Sequence, residues 1–147
     1  DIDAEEKMSI VKSLEFFSEF SEAEIWEIIR ACIWKEFEQG TEIIIEGDID
    51  DVFYIISSGS VEVYKSNKVI GLLQKGDCFG EMGYLSKTKR SATIIAQNYV
   101  QLMKINSTLI DQISVEAQLH FSRVFLKTLV SRLSDTTALY ASVNPDA

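Results

Sequence analysis

Residues 79–93 read FGEMGYLSKTKRSAT, and their composition differs from that of the chain on either side. The flanking stretches are short runs of β-branched and aromatic residues, whereas this segment mixes glycine, methionine and leucine with several polar side chains. Gly80 allows a close approach of the backbone, and Glu81 is placed to open a helical turn. The segment is therefore predicted to be a loop with one short helical turn, set between two strands.

The flanking runs predict a β-rich zone over residues 32–105. They are rich in Val, Ile and aromatic residues and fall at 43–45, 52–56, 61–64, 69–73, 93–95 and 100–105. Turn signals separate them, including Gly47-Asp48, Gly59, Ser66-Asn67 and Gly76-Asp77. Short strands with a turn every roughly 8–12 residues are typical of a sandwich or a jelly-roll barrel.

Helical patterns precede and follow this zone. Residues 3–31 predict two short helices, and Ser21 followed by Glu24 forms a capping-box signature. Residues 107–143 are helical again, with two rows of residues spaced by seven: Leu119, Leu126, Leu133 and Tyr140 in the first, and Leu129, Thr136 and Val143 in the second. These heptads favour a helix that dimerises; the alternative is an amphipathic helix that packs on its own barrel.

Composition limits the possible partners. The chain has 147 residues, which fits one domain spanning 1–147. Its net charge of −9 indicates an acidic surface, which repels duplex DNA. Its only tight basic cluster, Lys87, Lys89 and Arg90, is too small for nucleic acid but sufficient for one phosphate. Cys32 and Cys78 form no CxxC pair, and no run of about 18 apolar residues occurs. We expect a cytoplasmic protein without a disulfide or membrane span.

Metal chemistry has little support in the sequence. A metal-dependent enzyme on a β-barrel needs several histidines, and His120 is the single histidine of the chain. Asp50-Asp51 is interpreted as a solvated turn, because no ladder of calcium ligands surrounds it.

Two charged residues of the segment suggest a ligand. Arg90 can pair with a phosphate through its guanidinium, and Ser91 can add a hydroxyl. Glu81 has the wrong sign for a phosphate, but a carboxylate accepts hydrogen bonds and suits a ribose hydroxyl. The residue types alone leave a plain surface Glu–Arg pair as an equal alternative.

Residues 79–83 (FGEMG) and 90–93 (RSAT) resemble, in type and spacing, the phosphate-binding cassette of the cyclic-nucleotide-binding domain family. That family includes catabolite-activator-type regulators, kinase regulatory subunits and gated channels. The resemblance continues through the upstream turns and strands and covers roughly residues 15–140. It implies a mainly β fold with flanking helices: a double-stranded β-helix (jelly-roll) barrel with N-terminal helices and a long C-terminal helix.

The resemblance also assigns roles within the cassette. Glu81 would accept the ribose 2′-hydroxyl, Arg90 would neutralise the cyclic phosphate, and backbone amides with Ser91 would complete the cradle. The ligand-binding set implied in this way is Phe79, Gly80, Glu81, Met82, Gly83, Arg90, Ser91 and Ala92. Two departures could loosen the cassette: Gly83 stands where many eukaryotic members have Ala, and Lys89 stands where Pro is frequent.

The last helix resembles the dimer helix of catabolite-activator-type proteins. In that helix a Thr-Ser pair shortly after an Arg-Leu pair contacts the base, and here Arg132-Leu133 precedes Thr136 and Thr137. Thr136 and Thr137 are therefore the candidates for base recognition, the alternative being hydroxyls that bond carbonyls of their own helix. Arg132 is also a candidate ion-pair partner of Glu81.

The sequence thus predicts a non-enzymatic regulatory module without a cofactor. It would bind a cyclic mononucleotide, with cyclic AMP favoured over cyclic GMP, and convert occupancy into a shift of its terminal helices. A homodimer through the C-terminal helix is expected, with no direct binding of DNA. The alternative is a degenerate member of the same fold that serves dimerisation or protein contact without a ligand.

Overall fold

The N-terminal zone contains the two predicted helices with a 3₁₀ turn between them. The computed structural model describes residues 2–143; the side chains of residues 82, 83, 107 and 135–143 lie outside the described part. Helix α1 spans Ala4–Lys12, the 3₁₀ turn Glu15–Phe17 and helix α2 Glu22–Ala31. The Ser21–Glu24 capping box is confirmed, since each residue's side chain accepts from the other's backbone N–H.

The described residues contain eight strands in two antiparallel sheets. The strands are β1 Ile33–Phe37, β2 Glu42–Ile44, β3 Val52–Ser58, β4 Ser60–Lys65, β5 Lys68–Gln74, β6 Cys78–Phe79, β7 Thr93–Ala96 and β8 Val100–Asn106. One sheet has the order β1-β8-β3-β6 and the other β2-β7-β4-β5. The six predicted runs are confirmed as strands, whereas β1 and β6 were not predicted.

Strand β3 lies at the centre of the fold because both of its faces are covered. Its residues from Val52 to Ser57 are all buried. Phe53 and Ile55 pack with the helices, while Tyr54 and Ile56 face the space between the sheets. A strand buried on both faces has an uninterrupted apolar sequence instead of an alternating one.

The C-terminal zone consists of α4, Ser107–Ile110, and the long α5, Val115–Val143. One face of α5 packs on the barrel through Ala117, Phe121, Val124 and Phe125. The opposite face exposes Leu119, Leu126 and Leu133, as the first heptad row predicts. Leu129, of the second row, packs against the helical core, as the alternative of an amphipathic helix on its own barrel implies, and Val130 is exposed beside it.

Aromatic rings connect β3, α3 (Glu81–Ser86) and α5. The ring of Phe53 lies 5.0 Å from that of Tyr84 and 5.0 Å from that of Phe125, measured between centroids. The Tyr84 and Phe125 rings are themselves 5.6 Å apart. The helix of the cassette therefore packs on the same aromatic cluster as the C-terminal helix.

Candidate functional site

The predicted cassette lies along one wall of a cavity of about 320 Å³. As predicted, its segment is a loop with one short helix, α3, and Gly80 precedes that helix with a φ of +85°. The structure brings six of the predicted ligand-binding residues to the cavity: Phe79, Gly80, Glu81, Arg90, Ser91 and Ala92. Met82 and Gly83 belong to the backbone of α3, and their side chains are outside the described part.

Arg90 is the most buried charged group of the cavity wall, with 6% of its surface exposed. Its Nη1 donates to the carbonyl of Gly80, and its Nη2 donates to the carbonyl of Val52 and the carboxylate of Asp50. Its Nε is buried and has no hydrogen-bond partner among the residues described. The guanidinium is thus anchored on one side and keeps a donor unused.

Asp50, in the turn that the sequence interprets as solvated, also contacts the cassette. Its side chain is 42% exposed, but Oδ1 pairs with Arg90 and also accepts from the N–H of Val52 at 3.1 Å. The sequence carries no local signal for this pair, because the two residues are 40 positions apart and only the packing of the β2–β3 loop brings them together.

Glu81 and Arg132 form an ion pair across the mouth of the cavity, as the sequence predicted. Arg132 Nη1 donates to Glu81 Oε1, and Nη2 donates to the carbonyl of Cys78. The Glu81 side chain is 14% exposed and that of Arg132 34% exposed. Because Arg132 belongs to α5, this pair ties the C-terminal helix to the cassette.

The second half of the cassette is held by neighbouring backbone and by one lysine. The N–H of Gly47 donates to the Arg90 carbonyl at 2.9 Å, and the Arg90 N–H donates to the Asp48 carbonyl at 2.7 Å. On the other side, Lys65 Nζ donates to the Ser91 carbonyl at 2.7 Å. Sequence reasoning missed Lys65, since a lysine at a strand end gives no signal of a distant partner.

The remaining walls are mostly apolar. Ile44, Val63, Leu73 and Ile94 also line the cavity. Its volume is near the lower end of the roughly 300–1,000 Å³ that ligand pockets span. An apolar wall suits a flat ring system, and a charged end with a guanidinium and a carboxylate suits an anion next to a hydroxyl.

Thr136 and Thr137 fall on the helical backbone of α5, but their side chains lie outside the described residues.

No group of three or more His, Cys, Asp or Glu suited to a metal occurs in the part of the chain that is described. None of the helices described there has both the length and the apolar character needed to cross a bilayer. Burial raises the pKa of the Cys78 thiol, next to the cassette, to about 11.

Comparison with known proteins identifies the family. A sequence model of the cyclic nucleotide-binding domain matches residues 34–115. The chain belongs to the cyclic nucleotide-binding domain family. The matched range contains the whole cassette and strands β2 to β8, whereas Arg132 of α5, which also lines the cavity, lies beyond it.

Two relatives illustrate this family. A cGMP-dependent protein kinase of Toxoplasma gondii is 37% identical over 74% of this chain and 11% of its own length. A cAMP-dependent protein kinase regulatory subunit of Debaryomyces hansenii is 33% identical over 65% of this chain and 22% of its own length. The chain therefore spans less than a quarter of either protein.

The solved structure of the Thermus thermophilus catabolite activator protein superposes with a TM-score of 0.77. It is 20% identical in sequence, and the match covers 88% of this chain and 62% of that one. The likeness confirms the predicted fold class, a β-rich jelly-roll with flanking helices and a long C-terminal helix.

Proposed function

We propose that this domain is a regulatory module that binds a cyclic mononucleotide in the cavity of the cassette. The observation that carries the proposal is the guanidinium of Arg90, which is almost fully buried and keeps its Nε donor without a described partner. A buried donor left unpaired is costly, and a charged phosphate oxygen is the acceptor that a guanidinium prefers. The cyclic phosphate of the ligand supplies that acceptor.

Glu81 would bind the sugar. Arg132 donates to Oε1 of this carboxylate. A carboxylate offers about four acceptor sites, so Glu81 can accept from Arg132 and from a ribose 2′-hydroxyl together. Discrimination against a 2′-deoxy nucleotide is the property that this contact predicts.

The same residues would couple occupancy to the terminal helices. A ligand shifts a conformational equilibrium only through contacts that differ between the two states. Arg132 of α5 donates a hydrogen bond to the Glu81 carboxylate, and the ring of Tyr84 in α3 packs on that of Phe125 in α5. Both contacts change if the cassette closes around a ligand, so α5 is the element expected to move.

For the base, we favour cyclic AMP over cyclic GMP. Ser91 lies at the cavity, and Val63 and Leu73, which also line it, offer no side-chain hydrogen bond to the extra polar groups of guanine. The relatives named above include both a cGMP-dependent kinase and a cAMP-dependent regulatory subunit. A base contact from Thr136 or Thr137 stays a prediction.

We further propose a homodimer through α5, in the cytoplasm, and no catalytic activity of the module's own. Leu119, Leu126 and Leu133 are 58%, 62% and 67% exposed on one face of the helix. Such a stripe is complementary to its own copy about a two-fold axis, where it forms a coiled-coil seam. Cys32 and Cys78 are free thiols, which suits a reducing compartment.

The dimer is tested by sedimentation velocity. Leu126→Lys is expected to yield a monomer, whereas Val69→Lys, at an exposed apolar residue of strand β5, keeps the dimer. A wild-type chain that sediments as a monomer at high concentration refutes this part of the proposal.

One observation favours a second candidate, a domain that keeps the fold without a ligand. Both charged residues of the predicted ligand-binding set already have ion-pair partners, Asp50 for Arg90 and Arg132 for Glu81. The site is thus partly satisfied by the protein itself.

A thermal-shift panel separates the two candidates. It compares cyclic AMP, cyclic GMP and their linear 5′-monophosphates, since a ligand that binds the native state raises the unfolding midpoint. We expect cyclic AMP to raise it most and the linear nucleotides to leave it unchanged. Midpoints that stay at the value of the ligand-free protein with all four nucleotides would establish the second candidate.

A further inference from the structure

The side chain of Lys65 contacts the cassette just beyond the end of the β4–β7 ladder. Strand β4 pairs with β7 up to Tyr64 and Thr93, and Lys65 is the next residue. Its Nζ reaches past the end of the ladder to the carbonyl of Ser91 at 2.7 Å. Glu46 Oε1 lies 3.7 Å from the same ammonium.

This contact is one of three hydrogen bonds accepted by residues 90–93 from neighbouring segments. The Arg90 carbonyl accepts from the Gly47 N–H, and Thr93 Oγ1 accepts from the Glu46 N–H at 3.0 Å. Between them, the Ser91 carbonyl is held by Lys65. Because a trans peptide is planar, a fixed Ser91 carbonyl also fixes the direction of the Ala92 N–H. Ser91 and Ala92 both line the cavity.

We propose that Lys65 is a positioning residue for nucleotide binding, which sets the orientation of the Ser91–Ala92 peptide in the cavity wall. The inference rests on the proposed function, because the benefit of that orientation is realised when an anion occupies the cavity. The lysine acts through the cassette backbone and not as one further positive charge near the phosphate.

Isothermal titration of the full chain with cyclic AMP tests this role. Lys65→Met keeps the aliphatic stem and removes the donor. It is expected to weaken the binding of cyclic AMP about fivefold, because one charge-assisted hydrogen bond at a half-exposed site contributes about that much. Lys65→Arg restores a donor and recovers most of the affinity. Lys68→Met, at the residue paired with Lys65 across the β4–β5 hairpin, removes the same charge and leaves the affinity unchanged.

Two results overturn the proposal. Unchanged affinity in Lys65→Met removes the positioning role, and equal weakening in Lys68→Met shows that charge alone is responsible. A second measurement needs no nucleotide: amide hydrogen exchange at Arg90, whose N–H donates to the Asp48 carbonyl at 2.7 Å, is expected to accelerate in Lys65→Met and not in Lys68→Met. If the wild-type chain binds neither cyclic AMP nor cyclic GMP, the proposed function fails, and the exchange rates alone decide whether Lys65 orients the cassette.

Discussion

Replacing Arg90 with methionine should destabilise the protein even without a ligand. The substitution keeps most of the apolar stem and removes every hydrogen-bond donor. The carbonyls of Val52 and Gly80 then lose a charged donor, and Asp50 loses its ion-pair partner. These three acceptors belong to the β2–β3 region and the start of the cassette, so their loss loosens both segments.

The size of the effect follows from the burial of each group. A buried acceptor left without its donor costs about 1–3 kcal/mol, which applies to the two carbonyls. Asp50 is 42% exposed and is rehydrated, so its loss adds less than about 1 kcal/mol. Removing a buried guanidinium whose Nε is unpaired offsets part of this cost. The net expectation is a loss of about 2–4 kcal/mol, a large share of the roughly 5–15 kcal/mol typical of a domain.

Urea unfolding followed by circular dichroism measures this loss in the absence of nucleotide. For a chain of this length about 1 kcal/mol corresponds to roughly 2–4 °C, so the thermal midpoint should fall by about 5–15 °C. Arg123→Met, at an exposed arginine of α5, is the matched control and should leave both values unchanged. A ligand-free stability within about 1 kcal/mol of wild type would refute the structural role. Titrations of the Arg90 variant with cyclic AMP then require temperatures well below its midpoint.

Three further perturbations follow from the same geometry. Gly80→Ala should destabilise more than Gly76→Ala in thermal unfolding: both glycines have φ near +90°, but an added Cβ lies 3.1 Å from the cassette guanidinium at Gly80 and meets nothing within 4 Å at Gly76. Arg132→Gln should accelerate amide exchange in the second half of α5 about tenfold, since it removes the bond to Glu81; an unchanged rate would contradict the tie. Burial acts to raise the pKa of Glu24, but hydrogen bonds from its capping serine and from the histidine of α5 hold that pKa below the usual 4.5. The stabilising effect of ionised Glu24 is therefore present above the usual pKa and is lost as the pH falls through the lower folded value, so Glu24→Gln should flatten the loss of stability below about pH 4.5 in urea titrations.

Local signals predicted the parts of the fold that depend on local chemistry. The capping box at Ser21, the apolar run of β3 and the short helix after Gly80 are each encoded within a few neighbouring residues. Strand β1 escaped prediction because it lies at a sheet edge with much of its surface exposed, and its centre is Lys35-Glu36. Strand β6 has only two residues, too few for any periodicity.

Partners far apart in the chain were harder to predict. The pairing of Glu81 with Arg132 was reached through the resemblance to a known family, whereas Asp50 and Lys65 matched no motif. Heptad spacing also could not separate the two faces of α5, because Leu129 satisfies the repeat and still packs on the barrel. A repeat describes which residues share a face, and only tertiary packing decides which face is covered.

The contact between Arg132 and Glu81 would set the sign of the proposed coupling between ligand binding and α5. In the structure Arg132 already binds one oxygen of the Glu81 carboxylate. If a ribose hydroxyl displaced Arg132 from Glu81, nucleotide binding would release α5. If the hydroxyl used the other carboxylate oxygen, nucleotide binding would strengthen the attachment of α5 to the cassette. The second case is favoured, because a carboxylate has acceptor sites for both and the guanidinium also bonds the Cys78 carbonyl, which a ribose would not contest. Coupling between two binding events is reciprocal. Arg132→Gln is therefore expected to weaken the binding of cyclic AMP, and cyclic AMP is expected to slow amide exchange in the second half of α5 of the wild type. Stronger binding by that variant would show that the ribose and Arg132 compete for Glu81.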